Sequence, residues 1–420
     1  MWGGWAGRAA DTREGSRFVV VKHLYVHIPF CRSRCAYCDF ASEPIGPHRR
    51  SGRVGLYLAA LRAELGRSAP LLDIPLATVY LGGGTPSVLP RDDLLALVGE
   101  LAALLAVPSG GPGGQSAEFT MEANPGNLDA SLLGGLAEAG VTRLSIGIQS
   151  FSARSRATLG RAVAQTEIAE CLGAIREARW REWNLDLVFG IPGQTWPDVA
   201  ADLAAALAAA PPHISLYDLT YSERYSRLLS SRAASGAVAS VESGAESSVG
   251  KGAGTGGGIR VAAEAFAEKW YAEAVRTLVD AGYDRYEVSN FALPGYECRH
   301  NKAYWLGEDY VGLGASAVST VAGIRRTNPS TVAGYLAGEA PGLEEIDVRT
   351  RIFEKAMLGL RTSHGIEEAE VVGMLDTKAL DRLCEQGCVE RRYGRIRLNP
   401  GFMDVSNNII AALLEPPEAP

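Results

Sequence analysis

Hydrophobic and polar positions follow two alternating periods along the first half of this chain. Between residues 19 and 219, short β-branched runs alternate with longer alanine- and leucine-rich segments of helical period, as in βα units around a parallel sheet. The pattern predicts six strands, at 24–28, 78–81, 118–122, 143–148, 184–189 and 214–219. It predicts helices between them, including 54–65, 92–105, 130–139, 166–178 and 196–209. Six βα repeats are too few for a closed eight-stranded barrel and predict an α/β fold with a partial (β/α)6 barrel of the TIM type.

The second half of the chain departs from this pattern twice. Residues 230–258 are mostly serine, alanine and glycine, which cannot bury enough apolar surface to offset ordering entropy, so a disordered insertion is predicted, with a functional lid as the alternative. A helix at 261–281 and a strand-like segment at 286–291 follow. Beyond residue 345, helices at 349–361, 367–374 and 377–385 precede a hairpin of 388–391 and 395–398 and a helix at 407–414.

This order predicts three parts of the chain. Residues 1–18 form an N-terminal extension, residues 19–320 form the barrel with adjoining elements, and residues 345–415 resemble a small winged-helix-like domain. Recognition of DNA by such a domain needs a basic helix, and the 377–385 segment is mixed in charge. A structural appendage is therefore favoured over a DNA-binding module.

Composition narrows the class of protein. With 420 residues, 47% of them hydrophobic, the chain can bury one large core and a smaller one. Its net charge is −7, from 48 acidic and 41 basic residues, and no basic run indicates a nucleic-acid partner. The longest apolar stretches, such as 203–210, are too short to span a bilayer, and the N-terminus lacks the pattern of a signal peptide.

Seven cysteines are unevenly spaced along the chain. Four of them, Cys171, Cys298, Cys384 and Cys388, do not form a recognisable disulfide framework. Free thiols are typical of a reducing compartment. We therefore predict a cytoplasmic protein without a transmembrane segment.

The other three cysteines, Cys31, Cys35 and Cys38, form a C-x3-C-x2-C motif directly after the first predicted strand. Three thiolates at this spacing can bind three irons of one [4Fe–4S] cube and leave the fourth iron open to a substrate. Clusters that only transfer electrons usually have four cysteines. The alternatives are a zinc knuckle and three unrelated thiols, but zinc prefers four ligands in paired C-x2-C sets. No second set follows, and a cluster that does chemistry is favoured.

Glycine and polar residues recur where the later strands end. Residues 82–86, Gly-Gly-Gly-Thr-Pro, follow the second strand, Glu122 ends the third, Gln149 ends the fourth and Asp186 lies on the fifth. The C-terminal strand ends carry the chemistry in barrels of this type. Each residue alone could be a strand cap or part of a tight turn. The glycines would let a ligand approach the backbone and its N–H groups, and an unpaired Asp186 would be a costly buried charge.

The cysteine motif resembles that of the radical S-adenosylmethionine (SAM) superfamily. The resemblance implies that SAM chelates the fourth iron and that an electron from the cluster cleaves it to a 5′-deoxyadenosyl radical. Segments 25–38, 82–86, 121–125, 146–149, 186–192 and 312–316 resemble the branch that contains oxygen-independent coproporphyrinogen III dehydrogenase and the HemW-type haem chaperones. The resemblance extends over residues 19–414, interrupted by the 230–258 segment.

This resemblance implies a set of cluster and SAM residues. They are Tyr25, Cys31, Cys35, Tyr37, Cys38, Gly83, Gly84, Thr85, Glu122, Gln149, Arg161 and Asp186. In this set Tyr37 would contact adenine, and Glu122 and Asp186 would accept hydrogen bonds from the ribose hydroxyls or the ammonium group. Arg161 could hold a carboxylate in bidentate fashion.

Two positions distinguish between resemblance to the dehydrogenase and resemblance to the chaperones. Phe40 occupies the place where the dehydrogenase pattern has a fourth cysteine, as in the chaperones. Residues 300–305, His-Asn-Lys-Ala-Tyr-Trp, resemble an H-N-x-x-Y-W signature that implies haem binding by His300, since imidazole is a common ligand of haem iron. A structural role for His300 is the alternative, and Cys298 is a second candidate ligand.

The resemblance implies a haem chaperone that binds a [4Fe–4S] cluster, SAM and haem and passes haem to haemoproteins, respiratory cytochromes among them. The alternative is an enzyme that oxidatively decarboxylates coproporphyrinogen III to protoporphyrinogen IX. In that reaction the radical would abstract a hydrogen from each of two propionate side chains. Whether the chain is an enzyme stays open at this point, and a DNA-binding regulator has little support.

Overall fold

The computed structural model describes residues 20–50, 52–105, 117–234 and 264–415. The predicted N-terminal extension, residues 1–18, and residues 235–258 of the predicted insertion lie outside the described residues. Residues 230–234, at the start of that predicted insertion, are helical. Arg232, Ala233 and Ala234 are good helix formers and continue the preceding helix.

The described strands and helices follow in chain order. The strands are β1 (His23–Ile28), β2 (Phe30–Cys31), β3 (Glu43–Pro44), β4 (Thr78–Gly83), β5 (Glu118–Ala123), β6 (Arg143–Gln149), β7 (Glu182–Phe189), β8 (His213–Asp218), β9 (Asp284–Arg285), β10 (Asn290–Ala292), β11 (Val311–Leu313), β12 (Val318–Val321), β13 (Ile324–Thr327), β14 (Gly342–Glu345), β15 (Ile366–Glu367), β16 (Val389–Arg392) and β17 (Arg395–Leu398). The α-helices are α1 (Ile45–Arg50), α2 (Arg53–Ser68), α3 (Arg91–Ala102), α4 (Ala130–Ala139), α5 (Ala153–Thr158), α6 (Gln165–Glu177), α7 (Trp196–Ala209), α8 (Glu223–Ala234), α9 (Glu264–Asp280), α10 (Arg299–Trp305), α11 (Val332–Ala337), α12 (Val348–Gly359), α13 (Glu368–Val371), α14 (Thr377–Glu385) and α15 (Ser406–Leu413). Short 3-10 turns occupy Ala69–Leu71, Pro86–Val88, Pro125–Asn127, Val372–Met374 and Pro400–Val405.

One large sheet organises the first part of the molecule. Nine strands of the described chain pair in the order β11-β1-β4-β5-β6-β7-β8-β10-β9. The six from β1 to β8 are parallel neighbours in chain order, and helices lie between them in the chain. This confirms the predicted α/β fold with a partial (β/α)6 barrel. Each of the six strands begins and ends within two residues of its predicted bounds.

Side chains on these parallel strands alternate between an apolar set and a polar set. On β1, Leu24, Val26 and Ile28 are fully buried in the main apolar core, whereas the intervening His23, Tyr25 and His27 line a cavity. Successive side chains of a strand point to opposite faces of its sheet. The apolar set therefore packs in the core and the polar set faces the interior of the barrel.

Three further strands extend the sheet beyond the predicted barrel. β11 pairs in parallel with β1, β10 pairs antiparallel with β8, and β9 pairs antiparallel with β10. The β11 edge is fixed by Glu64 of α2, which is buried, accepts a hydrogen bond from Gly314 N at 2.9 Å and pairs with Arg326 of β13 at 3.0 Å. A strand of three residues is too short to leave a clear period in the sequence.

A second apolar core lies in the C-terminal part of the chain. It is built around Leu360, Leu380, Ile396 and Leu413, which are at most 1% exposed. These residues lie at the end of α12, on α14, on β17 of the sheet β15-β17-β16 and on α15. This agrees with a small C-terminal domain of helices and a sheet. Its exact boundaries stay a prediction. Among the described helices, none combines the length and the apolar character needed to cross a bilayer.

Candidate functional site

The cysteines of the C-x3-C-x2-C motif lie at and just after the end of β2. Burial raises the pKa of Cys31 and of Cys38, and both thiols are close enough to Cys35 for electrostatic interaction. All three are partly buried and free of disulfides. Among the described residues no three His, Cys, Asp or Glu side chains converge on a single metal ion. The loop nevertheless supplies three thiols, which is the number and the chemistry that a cluster with one open iron requires.

The backbone of this cysteine loop is held by an arginine from the other side of the barrel. Nη2 of Arg224, on α8, donates to the carbonyl oxygens of Cys35, Ala36 and Cys38 at 2.9, 2.8 and 3.1 Å. The backbone N–H of Ala36 also donates to Leu159 O at 3.0 Å. These bonds fix the loop conformation and bring a positive charge to a site that would hold anionic thiolates.

Arg161 links the cysteine loop to the rim of the barrel. Its Nη1 lies 3.9 Å from Cys35 Sγ, and its Nη2 donates to Asn124 Oδ1 at 2.6 Å and to the carbonyl of Gly147. Asn124 Nδ2 donates to Thr85 Oγ1 at 3.0 Å, and Thr85 Oγ1 donates to Cys31 Sγ at 3.6 Å. One continuous network therefore connects two of the thiols. Nη2 of Arg161 therefore already has protein acceptors, and the binding of a carboxylate by this guanidinium stays a prediction.

The backbone N–H groups of the glycine turn form hydrogen bonds within the protein. The N–H groups of Gly83, Gly84 and Thr85 donate to Glu122 Oε2, Ile28 O and Phe30 O at 2.9, 2.8 and 2.8 Å. These three N–H groups therefore already have acceptors within the protein, and the approach of a ligand to this turn stays a prediction. A Cβ on Gly84 would lie 2.6 Å from Phe30 O, and one on Gly83, whose φ is +104°, would overlap the His27 ring. Glycine is needed because this turn packs directly against β1 and the start of the cysteine loop.

Glu122 lies between this turn and an aromatic side chain of the barrel interior. Tyr80 OH donates to Glu122 Oε1 at 2.9 Å, while Gly83 N donates to Oε2. Burial, together with the charge of Asp186, raises the pKa of Glu122 to about 7 despite these two donors. The carboxyl group can therefore gain or lose a proton near neutral pH.

The buried carboxylate of Asp186 is compensated by hydrogen bonds inside the barrel. Asn184 Nδ2 and Ser145 Oγ donate to its two carboxylate oxygens at 2.7 and 3.0 Å. Burial raises the pKa of Asp186, and these hydrogen bonds oppose that effect. Asn184 Oδ1 in turn contacts His213 Nδ1 at 2.6 Å. Neighbouring strands thus supply a satisfied polar network below the rim.

Gln149, at the end of β6, and Tyr37, within the cysteine motif, are two further predicted site residues. Gln149 ends β6 with a φ of +70°, next to a bulge that shifts the register against β7. A residue other than glycine is uncommon in the left-handed backbone conformation. Bulges at the rims of barrels change the direction of a side chain. Tyr37 packs, partly buried, against the small apolar cluster of Leu159, Ile191 and Tyr225. The side chains of Gln149 and Arg161 both approach Gly147. The charge of Arg161 also acts electrostatically on Tyr37. Both predicted site residues therefore lie near Arg161.

Tyr25 faces the interior next to the glycine turn. Its OH lies 2.9 Å from His27 Nδ1, and His27 Nε2 lies 2.9 Å from the carbonyl of Ala41. Since a carbonyl only accepts, His27 carries its proton on Nε2 and accepts from Tyr25. The Tyr25 ring also stacks on Tyr80, with centroids 6.1 Å apart.

His300 lies on α10, at the base of the same interior. Its Nδ1 lies 2.8 Å from Thr78 Oγ1, and its ring lies 5.2 Å from that of Tyr80. Its Nε2 has no hydrogen-bond partner among the described residues. Burial lowers the pKa of His300 to about 4, so the ring is neutral at pH 7 and able to ligate a metal.

The first turn of α10 is capped by a buried carboxylate of β5. Glu118 accepts from the N–H groups of Arg299 and His300 at 2.8 and 3.0 Å and from the Cys298 thiol at 3.4 Å. Burial alone would raise the pKa of Glu118, but Arg143 and the two N–H donors outweigh it and hold that pKa below its ordinary value. Burial raises the pKa of Cys298 to about 12. Cys298 is therefore a protonated packing thiol, which argues against it as a metal ligand.

A cavity of about 690 Å³ lies beside Tyr25, Tyr80 and His300. It is lined by Asp39, Phe40 and Ala41 of the cysteine loop, by residues of β1 and β4, and by His300, Tyr304 and Trp305 of α10. Phe40 is 68% exposed and Tyr304 is 49% exposed. The cavity is within the size range of small-molecule sites and has exposed aromatic side chains in its lining.

Several residues of this interior were not singled out from the sequence. They are His23, His27, Thr78, Tyr80, Glu118, Asn124, Asn184, His213 and Arg224. Most lie on strands at every second position, between apolar residues that pack in the core. The sequence signal for these residues is a polar residue at every second position of a strand in a parallel sheet. Such strands are usually apolar on both faces, so the polar positions indicate side chains of the interior.

Glu287 also lines the cavity, although no motif contains it. It is fully buried, its Oε2 accepts from Ser289 N at 3.1 Å, and its Oε1 has no hydrogen-bond partner in the described residues. Burial raises its pKa to about 7.

The sequence of this chain is similar to those of known proteins. Residues 25–206 match the Radical SAM superfamily. The Heme chaperone HemW of Synechocystis sp. is 34% identical over 84% of this chain and 81% of its own length. The Heme chaperone HemW of Bacillus subtilis is 30% identical over 94% of this chain and 99% of its own length.

The fold is also that of a solved structure. Coproporphyrinogen III oxidase (HemN) from Escherichia coli, a radical SAM enzyme, superimposes with a TM-score of 0.73 at 19% identity. The match covers 96% of this chain and 92% of that one. At this identity the likeness establishes the architecture alone. From the sequence relatives and the superfamily match together, the chain belongs to the Heme chaperone HemW family within the radical SAM superfamily.

Proposed function

We propose that this protein is a haem chaperone, which binds haem through His300 in the interior cavity and passes it to haemoproteins. The observation that supports this proposal is the hydrogen bonding of the two ring nitrogens of His300. Its Nδ1 is held by Thr78 Oγ1 at 2.8 Å, while Nε2 has no hydrogen-bond partner in the described residues. A metal-binding histidine typically has one nitrogen anchored by the protein and the other free for the metal.

The surroundings of His300 suit a flat aromatic ligand. Tyr304 and Trp305 lie with their rings 6.4 Å apart at the edge of the cavity, and Tyr304 also contacts Tyr310 at 5.5 Å. Exposed aromatic side chains at the cavity give bound haem packing partners and a route out. Transfer to a recipient, including respiratory haemoproteins in the cytoplasm or at its membrane, requires such access.

We further assign the [4Fe–4S] cluster to Cys31, Cys35 and Cys38. Nη1 of Arg161 lies 3.9 Å from Cys35 Sγ, and the charge of Arg161 opposes the effect of burial on the pKa of Cys31. When bound and reduced, the cluster supplies the electron that cleaves SAM. The proposed SAM contacts are Tyr25, Tyr37, Gly83, Gly84, Thr85, Glu122, Gln149, Arg161 and Asp186, which belong to the rim and interior next to the cysteine loop.

The experiment that tests haem binding is a titration of the full-length protein with haem, followed by the Soret band. We expect a Soret shift that weakens in His300→Ala, because an axial imidazole changes the ligand field of the iron. Cys298→Ala is the matched control, two residues away, and should leave the spectrum unchanged. An identical haem spectrum in His300→Ala and wild type would remove His300 from the site.

A second candidate function is the oxidative decarboxylation of coproporphyrinogen III. The observation in its favour is that Asp39, Phe40 and Ala41, next to Cys38, line the same cavity as His300. A porphyrin-type ligand in this cavity would therefore lie beside the cysteine loop. With reduced, cluster-loaded protein and SAM, the chaperone proposal expects no protoporphyrinogen, and steady turnover of coproporphyrinogen III would favour the enzyme.

A further inference from the structure

Three hydrogen bonds run in series from the protein surface to His300. Glu308 Oε2 lies 2.8 Å from His23 Nε2, His23 Nδ1 lies 2.9 Å from Thr78 Oγ1, and Thr78 Oγ1 lies 2.8 Å from His300 Nδ1. Glu308 is half exposed, whereas His23 and Thr78 are buried. The four side chains come from α10, the segment after it, β1 and β4.

From this geometry we infer that Glu308, His23 and Thr78 are positioning residues, which fix the proton of His300 on Nδ1 and leave the Nε2 lone pair free for iron. The inference rests on the haem ligation proposed above. It adds three residues to the site, none of which belongs to the sequence motif around His300.

The direction of the three bonds follows from what each group can donate. A carboxylate only accepts, so a His23 ring that carries a single proton holds it on Nε2, toward Glu308. His23 Nδ1 is then an acceptor and receives the single proton of the Thr78 hydroxyl. The Thr78 oxygen can then only accept from His300, which must carry its proton on Nδ1.

The opposite tautomer of His300 would not bind iron at Nε2, because a protonated nitrogen has no lone pair to give. The described neighbours of the ring offer no second fixing contact. His23 approaches it edge-on with centroids 6.3 Å apart, and Tyr80 packs against it at 5.2 Å, while the Tyr80 hydroxyl donates to Glu122. Thr78 is therefore the contact that selects the tautomer.

The first test uses the full-length protein without haem and reads the His300 ring nitrogens by ¹⁵N NMR. In wild type we expect a protonated Nδ1 and an unprotonated Nε2. Thr78→Val keeps the side-chain shape but removes the hydroxyl, so the proton should move largely to Nε2, where cavity water can accept it. Thr78→Ser retains the hydroxyl and should keep the wild-type tautomer.

Glu308→Ala provides a second variant at a half-exposed position, in case Thr78→Val does not fold. Without the carboxylate, His23 is free to adopt either tautomer, so His300 should show a mixture. A protonated Nε2 in the wild type, or a His300 tautomer unchanged in the folded variants, would overturn the inference.

The second test is haem affinity. Loss of a hydrogen-bond partner behind a ligating histidine typically weakens metal binding about 10- to 100-fold, so we expect a loss of about tenfold or more in Thr78→Val and a value close to wild type in Thr78→Ser. A haem spectrum unchanged in His300→Ala would refute ligation by His300 without affecting the NMR result. A changed spectrum in His300→Ala with full affinity in Thr78→Val would overturn the role of Thr78 while ligation by His300 stands.

Discussion

The guanidinium of Arg161 lies 3.9 Å from Cys35 Sγ, although the two residues are 126 positions apart in the chain. A positive charge at this distance stabilises the more negative, reduced state of a cluster bound to that sulfur, since net charge and hydrogen bonds to the sulfurs tune such potentials. The contact gives a first measurable prediction.

Arg161→Gln should make the cluster harder to reduce. We expect the reduction potential to fall by some tens of millivolts, given that ~59 mV is a tenfold change in equilibrium constant for a one-electron couple. Redox titration followed by electron paramagnetic resonance measures it. Arg154→Gln is the control, because Arg154 pairs with Asp198 at 3.1 Å on the surface, and equal potentials in all three proteins would contradict the prediction.

Replacing Cys31, Cys35 and Cys38 together with alanine should abolish cluster binding. Anaerobically reconstituted wild type should hold about four irons per chain, and the triple variant almost none, because the thiolates anchor the cube. Iron and sulfide analysis decides this. Cys171→Ala, which removes a buried thiol of the apolar core, should retain normal cluster content, and normal content in the triple variant would refute the assignment.

Gly84→Val should weaken SAM binding at least tenfold, about 1.4 kcal/mol. A side chain there meets the backbone of Phe30, with the Cβ 2.6 Å from its carbonyl oxygen, and must push the glycine turn away from the cysteine loop. Calorimetry with SAM measures the effect. Gly99→Ala is the matched control, since a Cβ on this α3 residue meets nothing within 4 Å, and unchanged SAM affinity in Gly84→Val would leave the turn without a role in binding.

The buried carboxyl group of Glu287 should make stability depend on pH. Its pKa is raised by burial to about 7 in the folded protein, above the ordinary value near 4.5. Between these values the folded state binds more protons than the unfolded state, so the free energy of unfolding falls as the pH rises from about 4.5 to about 7. This stability is fully present below that window and is lost above it.

Glu287→Gln should flatten this dependence and raise the free energy of unfolding at pH 8. The gain is on the order of 3 kcal/mol at most, from about 1.4 kcal/mol per pKa unit. Urea unfolding at pH 5 and pH 8 measures it. Glu345→Gln, on the exposed strand β14, is the control, and an equal pH dependence in wild type and Glu287→Gln would contradict the prediction.

Much of the barrel could be predicted from the sequence because its strands and helices have clear and different periods. The six parallel strands and the helix Ala130–Ala139 were located closely. That helix is capped by Asp129, whose side chain accepts from Leu132 N at 2.6 Å, and by Gly140. Such caps are local signals. The C-x3-C-x2-C motif is equally local and identified the superfamily.

The contacts that complete the site depend on residues far apart in the chain. His300 could be singled out from its motif, but Thr78, which holds its ring, lies 222 positions away. The glycine turn could be predicted to need close approach, but not that Ile28 and Phe30, rather than a ligand, accept its N–H groups. Pairings of this kind appear only when the strands come together in the sheet.

The bond between Arg224 and the cysteine loop also has a consequence for the order of events during synthesis. Arg224 lies 189 positions after Cys35, so the loop emerges from the ribosome long before the arginine that holds its carbonyl groups. Until α8 has been translated and has docked, the three thiols lack this restraint and stay open to oxidation or to stray metal ions. Insertion of the cluster is therefore expected to follow the docking of α8, as a late step in maturation.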